Sequence, residues 1–302
     1  MHIESIGAYY RMCRVESWTS WMLSFAVGGI LFGLPSWTRF VVVLSAFALS
    51  TAFIFVINQY FDRETDKNNR IKRSLPLASQ KLSPNASVTF AGILASASLL
   101  LVVMVDPVLL VPFAAYLLLG ITYSAPVPNL KTVPIADFMV SAMGAGFLPF
   151  YIGLSTAGRT DLDPVFIVLM SIPLMVYQSG GHIVQAMGDY SADKTNGLST
   201  FPVRFGQRKA AMLASFFLLT AIVSSALFVL TEVIYPIELL PALLLMPWFL
   251  PALRDLLNLY EHPSEESSLR LQRTAKKTRI YIVIMIASSL VLRLLPSLSR
   301  PA

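Results

Sequence analysis

Long apolar runs alternate with short polar segments along almost the whole chain. A run of about 17–25 predominantly apolar residues is long enough to cross a bilayer as one α-helix. We count nine such runs, so the pattern predicts an all-α, polytopic membrane protein with nine transmembrane helices in one bundle. The predicted spans are residues 18–34, 39–60, 88–105, 107–123, 135–155, 164–185, 210–230, 234–253 and 280–295.

The composition supports a bilayer as the solvent and excludes several classes of site. Hydrophobic residues make up 55% of the 302 residues and charged residues 13%, with a mean hydropathy of +0.66. Soluble domains carry about 25% charged residues. The single cysteine, Cys13, excludes an internal disulfide framework and a cysteine metal cage. The polar N-terminal residues lack the pattern of a signal peptide, so we expect no cleaved leader.

Basic residues are unevenly distributed between the segments that join the spans. Most of the 23 Lys and Arg residues lie in the N-terminal segment and after the second, fourth, sixth and eighth spans. Cytoplasmic segments carry such an excess, so the pattern predicts a cytoplasmic N-terminus, cytoplasmic active-site segments and an external C-terminus. This bias accounts for the net charge of +6, and we expect membrane lipid but no nucleic acid as a partner.

The two most polar segments follow the second and sixth spans and are similar to each other. The first contains Asp62 and Asp66, the second contains Asp189 and Asp193, and the pairs superpose at an offset of 127 residues. Because the offset covers four spans, it predicts a duplicated four-helix unit plus one helix. In this interpretation a single domain, residues 1–302, contains repeats at about 17–133 and about 134–258 and a ninth helix at about 279–296.

The spacing of these acidic residues predicts a cation site. Residues four apart lie on one face of a helix, so Asn58 joins Asp62 and Asp66 in one stripe of oxygen atoms. Carboxylates near a membrane need a counter-ion, which arginine, lysine or a divalent metal can supply. Mg²⁺ fits because it binds oxygen and completes its shell with water and phosphate. We expect two facing stripes to hold Mg²⁺ against a diphosphate. The alternative is that these are ordinary carboxylates at helix ends, but two pairs at equivalent positions of a repeat make that interpretation less favourable.

Nearby basic residues suit the outer oxygens of such a diphosphate. They are Arg70, Lys72, Arg73, Lys131 and Lys194.

These motifs resemble those of the UbiA superfamily of intramembrane prenyltransferases. The run Asn58-x-x-x-Asp62-x-x-x-Asp66 is similar to the first aspartate-rich motif of the family, and Asp189-x-x-x-Asp193 is similar to the second. Residues 72–79, 123–126 and 197–206 are also family-like, and the resemblance covers essentially the whole chain. It implies a nine-helix fold and transfer of a polyprenyl group from its diphosphate to a lipophilic acceptor.

The resemblance also implies roles for particular residues. It implies that the four aspartates are catalytic and bind Mg²⁺ with the help of Asn58, and that Lys131, Arg70 and Lys72 or Arg73 bind the diphosphate. It implies that Tyr123 and Ser124 line the substrate cavity. Ser74 stands where the family has proline, and the second motif lacks the acidic residues that often lie between its aspartates.

Other residues near the motifs have two interpretations each. His182 and Gln185 precede Asp189 on one predicted helix, where they either touch the acceptor or form interhelical hydrogen bonds. Arg14 either reaches the diphosphate or an acidic acceptor, or is a topological anchor. Asp137 is expected to cap the fifth span.

Two alternative functions share this architecture. A UbiA-type terpene cyclase would ionise the diphosphate without an acceptor, and a secondary transporter would share the repeats and the charges. The acceptor stays open among quinone precursors, glyceryl phosphates, chlorophyllides and carotenoids. The short spacing from Asp66 to Arg73 resembles that of family members acting on the last three types more than that of 4-hydroxybenzoate enzymes.

Overall fold

The computed structural model describes residues 3–32, 36–69, 71–159, 161–234 and 239–294. Within these ranges it contains helices, turns and no β-strand, so the all-α prediction is confirmed. The α-helices are α1 (Ile3–Cys13), α2 (Thr19–Leu31), α3 (Trp37–Lys67), α4 (Pro84–Val105), α5 (Leu110–Ser124), α6 (Ala136–Ser141), α7 (Leu148–Thr156), α8 (Pro164–Gly188), α9 (Tyr190–Thr195), α10 (Phe201–Phe205), α11 (Gln207–Ser224), α12 (Leu227–Leu230), α13 (Leu240–Leu245), α14 (Leu250–Glu261) and α15 (Glu265–Leu294).

Seven helical segments of the described chain are long and apolar enough to cross a membrane. They correspond to the second to eighth predicted spans, although residues 235–238 of the eighth prediction lie outside the described residues. The segments are Trp37–Lys67, Pro84–Val105, Pro107–Ser124, Ala136–Thr156, Pro164–Gly188, Gln207–Leu230 and Leu240–Glu261.

The first and ninth predicted spans differ from these seven. Helix α2 has 13 residues, which at 1.5 Å per residue gives about 20 Å, less than a hydrocarbon core of about 30 Å. The predicted ninth span coincides with the second half of α15, whose first half is charged. Residues 33–34 and 295 of these predictions lie outside the described residues. The count of nine and the duplicated unit therefore stay predictions.

Glycines bring helices α2 and α7 into backbone contact. A Cβ added to Gly28 of α2 would lie 2.0 Å from the carbonyl oxygen of Phe150 in α7. A Cβ added to Gly153 of α7 would lie 2.0 Å from the carbonyl oxygen of Phe25 in α2. Only glycine permits this approach, which is how helices pack tightly without a hydrophobic driving force between them.

Helix α8 is the central element of the second half. It packs against α11, where Gly180 faces Leu218, and against the first half of α15. Gln272 of α15 donates a hydrogen bond to the carbonyl oxygen of Val184 at 3.2 Å. These contacts fix the end of α8, from which the second acidic motif follows.

Candidate active site

The first acidic motif lies on the last turns of a long continuous helix. Helix α3 extends to Lys67, beyond the apolar run, so Asn58, Asp62 and Asp66 lie one turn apart on one face. The Asn58 amide donates hydrogen bonds to Asp62 Oδ2 at 2.9 Å and to Ser124 Oγ at 3.2 Å. The motif is therefore fixed to the end of α5.

The second acidic motif is interrupted by a helix break, which corrects the prediction of a second helical stripe. Asp189 has φ −101° and ψ 4° and separates α8 from α9, so Asp193 lies on a separate short helix. Gly188 directly precedes the break, and glycine lowers helix propensity. The Asp193 amide still donates to the carbonyl oxygen of Asp189 at 2.9 Å, so the two residues remain one turn apart.

The two acidic motifs are in direct contact with each other. Asn69 Nδ2 donates to Asp189 Oδ1 at 2.9 Å. Asn68 Nδ2 donates to Asn196 Oδ1 at 3.0 Å, and Asn196 Nδ2 donates to the Thr65 carbonyl oxygen at 3.3 Å. Segments from the two halves of the chain therefore form one polar site.

Two lysines carry positive charge into this site from different segments. Lys131 Nζ contacts Asp62 Oδ1, and both side chains are 14% exposed. Lys72 Nζ lies 2.8 Å from Asp189 Oδ2. Each acidic motif thus has one lysine as a counter-ion, and partial burial makes these pairs stronger than surface ion pairs.

Burial and charge shift two titrating groups at the edge of the site. Burial and the negative charge of Asp189 raise the pKa of Asp193 to about 6, although Thr200 Oγ1 donates to its Oδ2 at 3.1 Å. Burial lowers the pKa of Lys72, but the charges of Asp189 and Asp66 outweigh it, so the pKa of Lys72 is raised from its ordinary value. Lys72 is therefore a permanent cation here, and an added divalent cation would favour ionised Asp193.

The donor set fits a metal that shares its shell with phosphate. Among the described residues, no three Asp, Glu, His or Cys side chains converge closely enough to enclose an ion. Mg²⁺ characteristically uses one or two carboxylates and takes its other ligands from water and substrate phosphates. Carboxylates on two touching segments, with lysines beside them, match that requirement better than they match a cage of protein ligands.

A second layer of side chains lies beside the carboxylates. Tyr123 is next to Ser124 at the end of α5, and its ring centroid lies 6.0 Å from that of His182. His182 Nε2 lies 4.0 Å from Asp137 Oδ2. Gln185 is exposed on the same face of α8 as His182. The structure thus brings together four of the residues that the sequence predicts to line the substrate cavity, Tyr123, Ser124, His182 and Gln185.

Other predicted residues lie at the edge of the site or outside the described chain. The Arg14 guanidinium lies 5.4 Å from the Phe55 ring centroid. Lys194 is exposed with its Nζ 5.9 Å from the Tyr190 ring centroid, and Arg73 is exposed. Arg70 lies outside the described residues.

Sequence reasoning missed Asn69, Thr200 and the role of Asp137. The N-cap of α6 is Ile135, so the expectation that Asp137 caps this helix is wrong. Asp137 lies within the first turn and is 1% exposed. Asn69 follows the first motif directly, and a polar residue just after a helix end is the signal that marks it.

Comparison with known proteins gives a consistent set of relatives. The model of the UbiA prenyltransferase family matches residues 19–274. A digeranylgeranylglyceryl phosphate synthase of Sulfolobus acidocaldarius is 25% identical over 249 residues, which cover 82% of this chain and 87% of the relative. A chloroplastic 2-acyl-4-prenylphloroglucinol 6-prenyltransferase of Humulus lupulus is 32% identical over 177 residues, 55% of this chain and 42% of the relative.

Solved structures share the fold. A UbiA homologue from Archaeoglobus fulgidus, bound to GPP and Mg²⁺, has a TM-score of 0.74 and 24% sequence identity. The similarity covers 94% of this chain and 98% of that chain.

Proposed function

Since this chain belongs to the UbiA prenyltransferase family and is an integral, multi-pass membrane prenyltransferase, we propose that it transfers an isoprenyl chain from its diphosphate to the hydroxyl group of a glyceryl phosphate, with Mg²⁺ as cofactor. The contact between Asn69 and Asp189 carries this proposal, because it joins the segments that carry the two acidic motifs into one polar site.

The proposed donor site uses both acidic motifs and both lysines. Asp62, Asp66, Asp189 and Asp193 hold Mg²⁺, which when bound neutralises charge on the departing diphosphate as a Lewis acid. Lys131 and Lys72 hold phosphate oxygens through charge-assisted hydrogen bonds. The Asn58 and Asn69 amides orient Asp62 and Asp189, the carboxylates to which they donate.

The apolar helices below this site protect the reaction from water. An allylic cation that meets water gives only the prenyl alcohol, so the acceptor must reach it in a water-excluded space. His182 precedes Asp189 by seven residues within α8 and its ring packs against that of Tyr123, so both rings lie on the membrane side of Asp189. We infer that the acceptor hydroxyl approaches there.

A glyceryl phosphate is the acceptor that the relatives favour. The Sulfolobus acidocaldarius relative is a digeranylgeranylglyceryl phosphate synthase and is matched over 87% of its length. Arg14 acts electrostatically on both Asp66 and Lys72, so it lies near enough to the site to attract an anionic head group. A phenolic acceptor is the second candidate, because the Humulus lupulus relative prenylates a phloroglucinol.

We propose that the acidic motifs and the N-terminus face the cytoplasm. The proposal rests on the excess of Lys and Arg in the segments that carry these motifs.

The deciding assay uses the protein in lipid nanodiscs with labelled geranylgeranyl diphosphate and Mg²⁺. Geranylgeranylglyceryl phosphate and a phloroglucinol are offered separately and together. An ether-linked product from the first supports the proposal, a C-prenylated ring supports the phenolic alternative, and a cyclic hydrocarbon without acceptor identifies a cyclase. No turnover with any acceptor contradicts prenyl transfer.

Matched variants test whether turnover depends on the proposed metal ligands. Asp189→Ala should abolish turnover, since it removes both a proposed metal ligand and the partner of Lys72. Glu64→Gln is the control, because Glu64 lies on the same helix as the first motif but is 67% exposed. EDTA should inhibit, and added Mg²⁺ should restore activity. Full activity of Asp189→Ala would remove the basis for the site.

A further inference from the structure

A buried histidine–aspartate pair lies beside the proposed diphosphate site and has no role in holding the diphosphate. His182 of α8 and Asp137 of α6 approach to 4.0 Å between Nε2 and Oδ2, with side chains 17% and 1% exposed. Asp62 and Asp189 are instead paired with Lys131 and Lys72, and Asp193 accepts a hydrogen bond from Thr200. This pair is therefore available for another step of the reaction.

One oxygen of the buried carboxylate lacks a hydrogen-bond donor. Asp137 Oδ1 accepts from the Phe138 amide at 2.6 Å, whereas Oδ2 is buried without a partner among the described residues. Leaving a buried acceptor unsatisfied costs about 1–3 kcal/mol, and more when the group is charged. His182 Nε2 lies 4.0 Å from this oxygen and needs to move only about 1 Å to reach hydrogen-bond distance. The carboxylate is thus placed to accept a hydrogen bond from the N–H group of this imidazole.

The face of α8 that carries His182 borders open space. Gln185, one turn further along, is exposed, and a Cβ added to Gly181 would have nothing within 4 Å. By contrast, Gln178 donates to the Ser20 carbonyl oxygen at 3.0 Å and joins α8 to α2. The polar residues of α8 therefore have two kinds of surroundings: Gln178 joins α8 to α2, whereas His182 and Gln185 lie on a face that is open to a substrate.

The pair is also at the right depth for the reacting carbon. His182 precedes Asp189 by seven residues, which is about 10 Å along the helix at 1.5 Å per residue. Its ring packs edge-on against Tyr123, whose neighbour Ser124 accepts a hydrogen bond from Asn58 of the first motif. An acceptor that lies between the carboxylates and the apolar interior meets this imidazole.

We propose that His182 is the general base that takes the proton of the acceptor hydroxyl, and that Asp137 positions it. This inference rests on the proposed prenyl transfer. Because Nε2 faces Asp137, the tautomer with a proton on Nε2 leaves Nδ1 free to accept. Asp137 then stabilises the imidazolium that forms, as the carboxylate of a catalytic triad does.

The step balances in atoms and electrons. The acceptor oxygen forms a bond to the first carbon of the prenyl chain, and the bond from that carbon to the diphosphate oxygen breaks. The bonding electron pair leaves with the diphosphate. The hydroxyl O–H bond breaks, and its proton passes to His182 Nδ1. In a space without water, a proton acceptor of this kind must come from the protein.

A comparison of two acceptors tests the proposal in His182→Asn and Asp137→Asn. The first is the glyceryl phosphate, and the second is its analogue with a thiol in place of the reacting hydroxyl. A thiol, with a pKa of about 8.5, ionises far more readily than an alcohol and depends much less on a base. His182→Asn should lower kcat for the hydroxyl acceptor by about 10²–10⁴-fold, the usual contribution of general-base catalysis. The thiol acceptor should react within about tenfold of the wild-type rate.

Two further measurements separate a chemical role from a structural one. The Kd of a non-ionisable thiolo-diphosphate donor with Mg²⁺ should stay within about threefold in both variants, because neither residue contacts the lysines. Added imidazole should restore hydroxyl transfer in His182→Gly. His262→Asn, at an exposed position after α14, is the control.

Three results would overturn the inference. Equal losses for the hydroxyl and thiol acceptors, with no rescue by imidazole, would assign the pair a packing role. An unchanged hydroxyl rate in His182→Asn would show that this histidine takes no proton. Failure of the wild-type protein to prenylate either acceptor would instead contradict the proposed function, and the inference would fall with it.

Discussion

Replacing Asn69 tests how the two halves of the site depend on each other. Asn69 is 6% exposed, and both polar atoms of its side chain form hydrogen bonds. Nδ2 donates to Asp189, and Oδ1 accepts from the backbone amides of Ile71 at 2.9 Å and Lys72 at 3.2 Å. One amide group therefore orients a proposed metal ligand and folds the segment that carries Lys72. Asn69→Ala removes all three hydrogen bonds.

The expected loss follows from the types of bond removed. A hydrogen bond to a charged group contributes about 1.5–3 kcal/mol, and each neutral bond contributes about 0.5–1.5 kcal/mol. If only the bond to Asp189 affects the transition state, kcat/KM for the donor falls about 10–100-fold, since 1.36 kcal/mol is tenfold. Asn69→Asp separates the effects, because its carboxylate still accepts from the amides of Ile71 and Lys72 but repels Asp189.

The assay measures kcat/KM for the donor and the Mg²⁺ concentration at half-maximal rate. Asn68→Ala is the matched control: it removes a bond between the same two segments, but Asn68 is exposed, so we expect a change within about threefold. A double-mutant cycle with Asp189→Asn should give a coupling energy for the Asn69–Asp189 pair. If Asn69→Ala retains kcat/KM within twofold, the contact between the motifs has no part in the reaction.

Three other predictions follow from separate contacts. Lys131→Gln should raise the donor KM at least about tenfold because it loses a charge-assisted contact, whereas Lys194→Gln, at an exposed position, should change it less than about threefold in the same kinetic assay. Gly28→Ala should lower the melting temperature, because a Cβ there would lie 2.0 Å from a backbone oxygen. Gly92→Ala is the control and should not lower it, because a Cβ there would have nothing within 4 Å. Equal melting temperatures of the two variants would contradict the close packing of α2 and α7. Burial raises the pKa of Cys13 to about 11, so maleimide alkylation measured by mass spectrometry should be slow in the folded protein and fast after unfolding; rapid labelling of the folded protein would contradict that burial.

The sequence predicts those parts of the site that depend on local periodicity. Asn58, Asp62 and Asp66 share a face because a helix repeats every 3.6 residues, and that geometry needs no knowledge of the rest of the fold. Hydropathy did not predict where α3 ends, since the helix continues about two turns past the apolar run, to Lys67. Hydropathy reports apolar composition and does not report where the helical hydrogen bonds stop.

The contacts between segments needed the structure. Lys131 reaches Asp62 across 69 residues of sequence, and Asn69 reaches Asp189 across 120. Such pairs depend on how the helices pack, and no periodicity encodes them. Asp137 was misread for a related reason: its position near a helix start indicates a cap, but packing against α8 decides what its side chain faces.

The helix break at Asp189 makes the two carboxylate pairs mechanically unequal. Asp62 and Asp66 belong to a helix of 31 residues, so they move only with α3 as a whole. Asp193 belongs to a helix of six residues that is joined to α8 through one non-helical residue. Hydrogen bonds from Ser191 to Glu265 and from Asn196 to the Thr65 carbonyl oxygen hold this short helix, so its orientation depends on side-chain contacts and not on a continuous membrane helix. Small adjustments to diphosphates that carry different prenyl chains should therefore be made on the α9 side, while α3 provides a fixed reference.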